Sequence, residues 1–291
     1  RRSSDLGIWG PFIFGKFWIP WRSRRWKKIN KSNQGGTKKM IHFVGAGPGA
    51  KDLITLRGYR LLTQADVVIY AGSLVNPDLL QDTKEGCEIY NSAYMTLDEV
   101  LGVMEVSEEE NQSVVRLHTG DPSLYGAIRE QMDALREKKI PFDICPGVSS
   151  FSGAAAALEI EYTLPEVSQS LIITRAQGKT PVPQRESLTS FAVHQSTMVL
   201  FLSSSLAHKV REDLIRGGYD KQTPAAIVYK ATWPEERKIV TTLDRLPFVM
   251  EEEEITKTAL IIIGNILGDF YEKSKLYDPS FTTEYRKGIQ K

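Results

Sequence analysis

The sequence has few of the residues that bind metals or form disulfides. Its 291 residues include only two cysteines and four histidines. Cys87 and Cys145 lie far apart, without the short spacing of a zinc site or a redox motif, and the histidines are scattered. We therefore predict no metal site and no disulfide framework, and a reducing, cytoplasmic location fits this cysteine content.

Long apolar runs are also missing. The stretch at 12–18 is interrupted by Gly15 and Lys16, and no run reaches the roughly 18 residues that a membrane span requires. The sequence therefore predicts neither a signal peptide nor a membrane partner.

The charges are divided unequally between two segments. Residues 1–39 contain 11 basic residues and one acid, a net charge of +10, together with four of the five tryptophans. Residues 40–291 contain 26 basic and 35 acidic residues, a net charge of −9. An acidic body argues against a nucleic-acid partner, because such binding depends on neutralising phosphates.

The basic segment has two interpretations. It is either a basic, aromatic anchor for anionic surfaces or a non-native extension. Residues 35–37 resemble a linker, and Met40 directly precedes a strand pattern. We favour the extension, and we expect the first domain to begin at residue 40.

Two α/β domains with a cleft between them are predicted from the hydrophobic pattern. Over 40–164, short apolar runs alternate with amphipathic segments, which indicates a mainly parallel sheet. After a break near Pro165, the segment 165–291 is richer in strands and predicts a mixed sheet. Apolar residues at helical spacing also predict one long helix over 123–138.

A glycine-rich segment follows the first predicted strand and precedes a helix. Its residues Gly45, Gly47 and Ala50 satisfy the dinucleotide-binding fingerprint. However, the second predicted strand ends at Tyr70 without the acid that binds ribose hydroxyls, and Pro48 lacks the N–H that would bind a pyrophosphate. These features disfavour a nicotinamide enzyme.

Three blocks of residues stand in order along the first predicted domain. They are Val44-Gly45-Ala46-Gly47-Pro48-Gly49, Val115-Arg116-Leu117-His118-Thr119-Gly120-Asp121-Pro122-Ser123-Leu124-Tyr125-Gly126 and Cys145-Pro146-Gly147-Val148-Ser149-Ser150. Together they resemble the motifs of the S-adenosylmethionine-dependent tetrapyrrole methylases, and the similarity extends over residues 40–286. The resemblance implies the two-domain fold of that family, a cofactor folded into the cleft between the domains, and a homodimer.

Four further segments, at 70–75, 174–183, 229–234 and 275–278, resemble one branch of this family. Members of that branch methylate C11 of precorrin-4 or cobalt-precorrin-4 on the route to cobalamin. The resemblance therefore implies a tetrapyrrole substrate, S-adenosylmethionine as methyl donor and S-adenosylhomocysteine as product.

The resemblance also implies, by position, which residues contact the cofactor. They are Pro48, Thr119, Gly120, Asp121, Leu124, Ser149, Ser150, Leu202, Ala231, Thr258 and Ala259. Leu202 stands where relatives that act on an earlier precursor often have methionine, and it keeps an apolar contact.

Candidate substrate contacts lie beside the same blocks or carry charge suited to the carboxylates of a tetrapyrrole. They are Tyr70, Ser73, Arg116, Tyr125, Arg129 and Lys230.

Transfer of a methyl group from a sulfonium depends on positioning more than on a base. No Ser/His/Asp or Cys/His set is evident, so no catalytic residue is firmly assigned. Asp121 is the candidate, with a turn cap before Pro122 as the equal alternative. His118 either lines the cleft or is packed in the core.

Three classes of function follow from these observations. A tetrapyrrole C-methyltransferase is favoured over a nicotinamide oxidoreductase. A non-catalytic tetrapyrrole-binding protein is the third class, but it would not need the blocks at Gly120 and Gly147.

Overall fold

A computed structural model of the protein describes residues 39–289. The predictions for residues 1–39 therefore fall, apart from Lys39, outside the described residues. No helix within 39–289 is both long enough and apolar enough to cross a membrane.

The first half of the described chain is a three-layer α/β unit. Its elements are β1 (Ile41–Gly45), α1 (Leu56–Gln64), β2 (Val67–Tyr70), β3 (Glu88–Asn91), α2 (Leu97–Glu109), β4 (Val114–His118), α3 (Arg129–Glu137), β5 (Phe142–Cys145) and α4 (Ser150–Leu158).

The strands of this half form a sheet in the order β3-β2-β4-β1-β5, and every neighbouring pair is parallel. Strands of a parallel sheet are buried on both faces, and β4 is buried at all five positions. Leu62 of α1 packs on one face, while Met104 of α2 and Leu135 of α3 pack on the other. The prediction of a mainly parallel sheet is confirmed.

The second half contains a mixed sheet, as predicted. Its elements are β6 (Leu171–Arg175), α5 (Leu188–Ala192), β7 (Thr197–Phe201), α6 (Ala207–Arg216), β8 (Pro224–Tyr229), β9 (Arg237–Thr242), α7 (Leu246–Glu252) and β10 (Ala259–Ile263). The strand order is β6-β7-β10-β8-β9, in which β6 and β7 are parallel and the other pairs antiparallel.

Helix α4 connects the two halves by packing. Its Ala154 is fully buried in a cluster with Val199, Val228 and Ile262 of the second sheet. Small side chains allow this close approach, which accounts for the alanine-rich sequence of the helix. The division of the chain at residue 165 stays a prediction.

The predicted helix over 123–138 is shorter in the structure, because α3 begins only at Arg129. The preceding residues form a loop in which Tyr125 and Ala127 have positive φ angles of 56° and 49°. A β-carbon on Gly126 would lie 2.2 Å from the carbonyl oxygen of Pro122, so the turn requires glycine there. The hydrophobic period continues through this loop although the helix does not.

Candidate active site

The glycines of the three blocks meet at the carboxyl edge of the first sheet. A β-carbon on Gly147 would lie 2.1 Å from the carbonyl oxygen of Gly120, and one on Gly45 would lie 2.5 Å from the same atom. Gly47 and Gly120 also exchange backbone hydrogen bonds, of 3.3 and 2.8 Å. The glycines therefore allow three loops to touch backbone to backbone and to form one continuous surface.

Asp121 joins two of these loops. One carboxylate oxygen accepts hydrogen bonds from the backbone N–H and hydroxyl of Ser123, and the other accepts from the N–H of Gly147 at 2.7 Å. Partial burial raises the pKa of Asp121, but these hydrogen bonds outweigh it and hold the pKa below its usual value. Asp121 is thus an ionised link between loops, in agreement with the turn-cap alternative, and its role toward a ligand stays a prediction.

Ser149 and Ser150 lie at the N-terminal end of α4, beside Gly120. Ser149 is 7% exposed, and its hydroxyl does not cap the helix. A β-carbon on Gly120 would lie 3.3 Å from the backbone nitrogen of Ser150. The backbone of both serines therefore lies against the loop that carries Thr119 and Asp121.

The cofactor residues predicted in the second half also gather at one edge, that of the second sheet. Ala259 is paired with Tyr229 across β10 and β8, and the N–H of Lys230 donates to the carbonyl of Thr258 at 2.9 Å. Leu202 follows β7, is 67% exposed and has a φ of 51°. A large apolar residue is disfavoured in this backbone conformation, and such strain is often found at functional sites.

The two edges are joined by a segment at 232–233 that the sequence did not mark as a site. The indole N–H of Trp233 donates to the carbonyl of Pro48 at 3.0 Å, and the backbone N–H of Ala50 donates to the hydroxyl of Thr232 at 2.9 Å. A β-carbon on Gly49 would lie 2.1 Å from the Trp233 ring. Only the presence of Trp233 within the family-like segment at 229–234 pointed toward this contact.

A second contact that sequence reasoning missed comes from Asn76. Its buried side-chain amide donates to the carbonyl of Gly49 at 2.9 Å. The loop that Asn76 anchors carries Ser73, which is exposed, directly after the end of β2 at Tyr70. Burial raises the pKa of Tyr70 above its ordinary value, so the phenol is protonated at neutral pH.

The loop between β4 and α3 reaches the second half through Tyr125. The rings of Tyr125 and Phe201 lie 5.4 Å apart, and Leu124 beside them is half-buried. Burial also raises the pKa of Tyr125. The structure thus brings Leu124 and Tyr125 toward the same end of β7 that carries Leu202.

The three predicted cationic contacts lie in different surroundings. Arg116 is 7% exposed and donates to Gln131 and to the carbonyl of Ile69, inside the first half. Arg129 is exposed and pairs with Asp133 at 2.7 Å. Lys230 lies at the joined edges, 3.5 Å from Glu235 and 5.3 Å from the centre of the Trp233 ring. Their contact with a substrate stays a prediction.

His118 is packed in the core of the first half. It is 4% exposed, its ring stacks with Phe43 at 6.2 Å, and its Nε2 atom has no hydrogen-bond partner among residues 39–289. Burial, with a smaller contribution from the charge of Arg116, lowers the pKa of His118 to about 3. The imidazole is therefore neutral at physiological pH.

A cavity of about 640 Å³ lies elsewhere, near the opposite edge of the second sheet. It is lined by polar residues that include Gln195, Asp220 and Asn265. None of the three glycine blocks contributes to it, so we place the candidate site at the joined edges, where the motif residues converge.

Replacement of Asp121 by asparagine is expected to lower the free energy of unfolding at pH 7 by about 1–2 kcal/mol, because hydrogen bonds to a carboxylate are lost. The folded pKa lies below the unfolded one, so the stabilisation is complete above the unfolded value and is lost as pH falls through the folded value. Denaturant unfolding of both proteins between pH 7 and pH 2 measures this difference.

The matched control for this prediction is Asp278→Asn. The carboxylate of Asp278 accepts the same two hydrogen bonds from Ser280 in the exposed tail, where Arg286 binds only the backbone carbonyl of Asp278 and, within residues 39–289, no second loop donates to the carboxylate. Equal effects of the two substitutions would mean that the link from Asp121 to Gly147 adds nothing.

The chain is similar to known proteins over nearly all of its described length. Residues 40–247 match the family model of the Tetrapyrrole (Corrin/Porphyrin) Methylases. A cobalt-precorrin-4 C(11)-methyltransferase from Methanocaldococcus jannaschii is 51% identical over 254 residues, which cover 87% of this chain and 98% of that protein.

Solved structures agree with this match. The X-ray structure of a cobalt precorrin-4 methyltransferase of cobalamin biosynthesis superposes with a TM-score of 0.77 and 48% identity, over 79% of this chain and 96% of that one. A uroporphyrin-III C-methyltransferase from Thermus thermophilus, solved in complex with S-adenyl homocysteine, superposes with a TM-score of 0.67 and 27% identity, over 80% and 96% of the two chains. With a family model that spans most of its length and relatives at about half identity, the chain belongs to the tetrapyrrole (corrin/porphyrin) methylases.

Proposed function

We propose that the protein is a methyltransferase that transfers the methyl group of S-adenosylmethionine to C11 of precorrin-4 or cobalt-precorrin-4 in cobalamin biosynthesis. The observation that carries this proposal is the 51% identity with a relative of that name over almost the whole of both chains. The joined edges of the two sheets bring together polar and apolar residues that suit the proposed cofactor and substrate.

We propose that the cofactor lies between these edges. Gly47 and Gly120 are buried and hydrogen-bond to each other, and because neither has a side chain, the loops that carry Pro48 and Asp121 lie close together at this edge. Leu202 offers an exposed apolar surface at the edge of the second sheet, and Ser149 offers a hydroxyl that its helix does not use. A mixed surface of this kind fits a ligand that combines a nucleoside with an amino acid.

S-adenosylmethionine, when bound, supplies a methyl carbon that is already activated by a positive sulfur. The residues of the chain then have to orient the two reactants and exclude water, and neither task needs a base with a raised pKa. This agrees with the chemistry of the site, because Asp121 is held ionised by its hydrogen bonds and His118 is buried and neutral.

The substrate is proposed to contact residues around the same edges. Tyr125 and Tyr70 offer protonated phenols, Ser73 an exposed hydroxyl, and Lys230 a cation for the carboxylates that a tetrapyrrole carries. Arg129 is a further, more peripheral cation, and Arg116 is a candidate whose guanidinium is buried inside the first half.

Binding of S-adenosylhomocysteine is expected to raise the melting temperature of the protein. A ligand present at 100 times its Kd stabilises the folded state by about 2.7 kcal/mol, which corresponds to a shift of several degrees for a chain of this size. NAD at the same concentration is the control and is expected to give no shift. The absence of any shift with saturating S-adenosylhomocysteine would contradict the proposed cofactor.

The reaction itself is tested with precorrin-4 in metal-free and cobalt-loaded form. Mass spectrometry would detect the added methyl group, and NMR of the product would assign it to C11. A product methylated at another carbon would retain the enzyme class and reject the proposed position.

Three further features, the domain division, the oligomeric state and the cellular location, are proposed with the function. The chain is proposed to divide into domains at 40–164 and 165–291, with residues 1–39 outside both, to act as a homodimer and to work in the cytoplasm. Light scattering after size-exclusion chromatography tests the homodimer, because it measures the number of chains in the particle.

A further inference from the structure

The loop between β4 and α3 adopts a conformation that its sequence does not favour. Leu124 and Ile128 continue the helical spacing of α3 backwards, yet the residues between them are not helical. Tyr125 and Ala127 instead have φ angles of 56° and 49°, a region that costs free energy for residues with a β-carbon. An interaction outside the loop has to offset this cost.

Gln131 provides that interaction. Its side-chain N–H donates to the carbonyl of Ala127 at 2.9 Å. In a helix that continued toward Ser123, this carbonyl would instead accept from the backbone N–H of Gln131, four residues later. The amide side chain therefore occupies the acceptor that helix extension would need.

Arg116 holds the amide in place from the other side. Its Nε donates to Oε1 of Gln131 at 3.2 Å and its Nη1 to the carbonyl of Ile69 at 3.1 Å. Gln131 is 5% exposed and Arg116 7%, and within residues 39–289 no carboxylate lies within 4.0 Å of the guanidinium. A buried guanidinium is costly unless its donors are used, so the arginine and the amide depend on each other.

The loop held in this way carries two of the residues proposed to contact the ligands. Tyr125 lies against Phe201 of the second half, and Leu124 is its neighbour. If the helix extended, Tyr125 would move onto the surface of α3 and away from β7. We infer that Gln131, fixed by Arg116, is a positioning residue that keeps the loop at 122–128 out of the helix and in the active-site cleft. This inference rests on the proposed function.

The test is Gln131→Leu, which keeps the size of the side chain and removes both hydrogen bonds. The KM for the tetrapyrrole is expected to rise about tenfold, with a smaller fall in kcat. Hydrogen exchange of the peptide covering 122–132 is expected to change, since the amides of the loop enter a different hydrogen-bonding pattern.

Gln195→Leu is the matched control. Gln195 also donates its side-chain amide to a backbone carbonyl, that of Gly218 at 3.0 Å, and also has a φ of 49°. It lies near the opposite edge of the second sheet, so this variant is expected to keep the wild-type KM. A KM that rises equally in both variants would overturn the inference.

A second substitution separates positioning from general stability. Ala127→Gly removes the β-carbon that is strained at positive φ and weakens the competing helix. When it is added to Gln131→Leu, we expect the raised KM to fall again by about fivefold. Gln131→Glu covers the case in which Gln131→Leu folds poorly, because a carboxylate can accept from Arg116 but cannot donate to Ala127.

The possible results decide between the alternatives. A wild-type KM in both Gln131 variants, or no recovery with Ala127→Gly, would overturn the positioning role. If the wild-type protein itself fails to methylate precorrin-4, the proposed function fails, and hydrogen exchange of the loop still tests whether Gln131 holds its conformation.

Discussion

Replacement of Gly147 by alanine is expected to lower the free energy of unfolding by about 3 kcal/mol, the upper part of the range for overpacking. The new β-carbon would lie 2.1 Å from the carbonyl oxygen of Gly120 and 2.7 Å from Cα of Gly45. Both obstacles are backbone atoms in strand-end loops, so no rotation of a side chain can relieve the contact. For a chain of this size the melting temperature should fall by about 6 to 12 °C.

The same substitution is expected to abolish binding of S-adenosylhomocysteine at temperatures where the variant is folded, because the loop at Gly120 has to move. Gly178→Ala is the control, since its β-carbon would meet only a methyl carbon of Leu206, at 3.3 Å. Calorimetric titration and denaturant unfolding measure the two effects. If the Gly147→Ala protein is as stable as the Gly178→Ala protein, the backbone contacts among Gly45, Gly120 and Gly147 are not tight in solution.

Replacement of Trp233 by alanine is expected to weaken the binding of S-adenosylhomocysteine at least tenfold and to lower the free energy of unfolding by about 2 kcal/mol. The indole fills the space beside Gly49 and donates to the carbonyl of Pro48. Without it, the glycine-rich loop loses the ring contact and the hydrogen bond at Pro48 and keeps the hydrogen bond between Ala50 and Thr232.

Trp233→Phe divides this effect into its parts. Phenylalanine keeps a ring beside Gly49 but cannot donate to Pro48, so the loss of affinity should be intermediate. Phe270→Ala, at a position that is 79% exposed, is the control for removing an aromatic ring. Wild-type affinity in Trp233→Ala would contradict a role of this contact in the site.

The regular elements were predictable because their patterns are local. Strands β1, β2 and β4 read as short apolar runs, and a second half rich in strands predicted the mixed sheet. Strand β3 and helix α7 were not predicted. The start of α3 was not predictable in the same way. Its hydrophobic period runs back to Leu124. The helix nevertheless begins only at Arg129, because the buried amide of Gln131 and the turn at Gly126 prevent its extension toward Leu124.

The site was predictable where a motif marks it and not where two distant segments meet. The resemblance located Gly120 and Gly147, but nothing in the local sequence says that Asn76 or Thr232 binds the loop at 48–50. Likewise, Arg116 reads as a cation available to a carboxylate, and its burial beside Gln131 appears only in three dimensions.

The contact between Ala50 and Thr232 joins residues 182 positions apart. Contacts of such sequence separation form late, because a long stretch of chain has to lose conformational entropy before the contact can stabilise the fold. During synthesis, the glycine-rich loop leaves the ribosome long before the segment that completes it, and the first sheet can fold while the site is still open. We therefore expect affinity for the proposed cofactor to develop at the end of folding, and we expect a nascent or truncated chain with a finished first sheet to lack the complete candidate site.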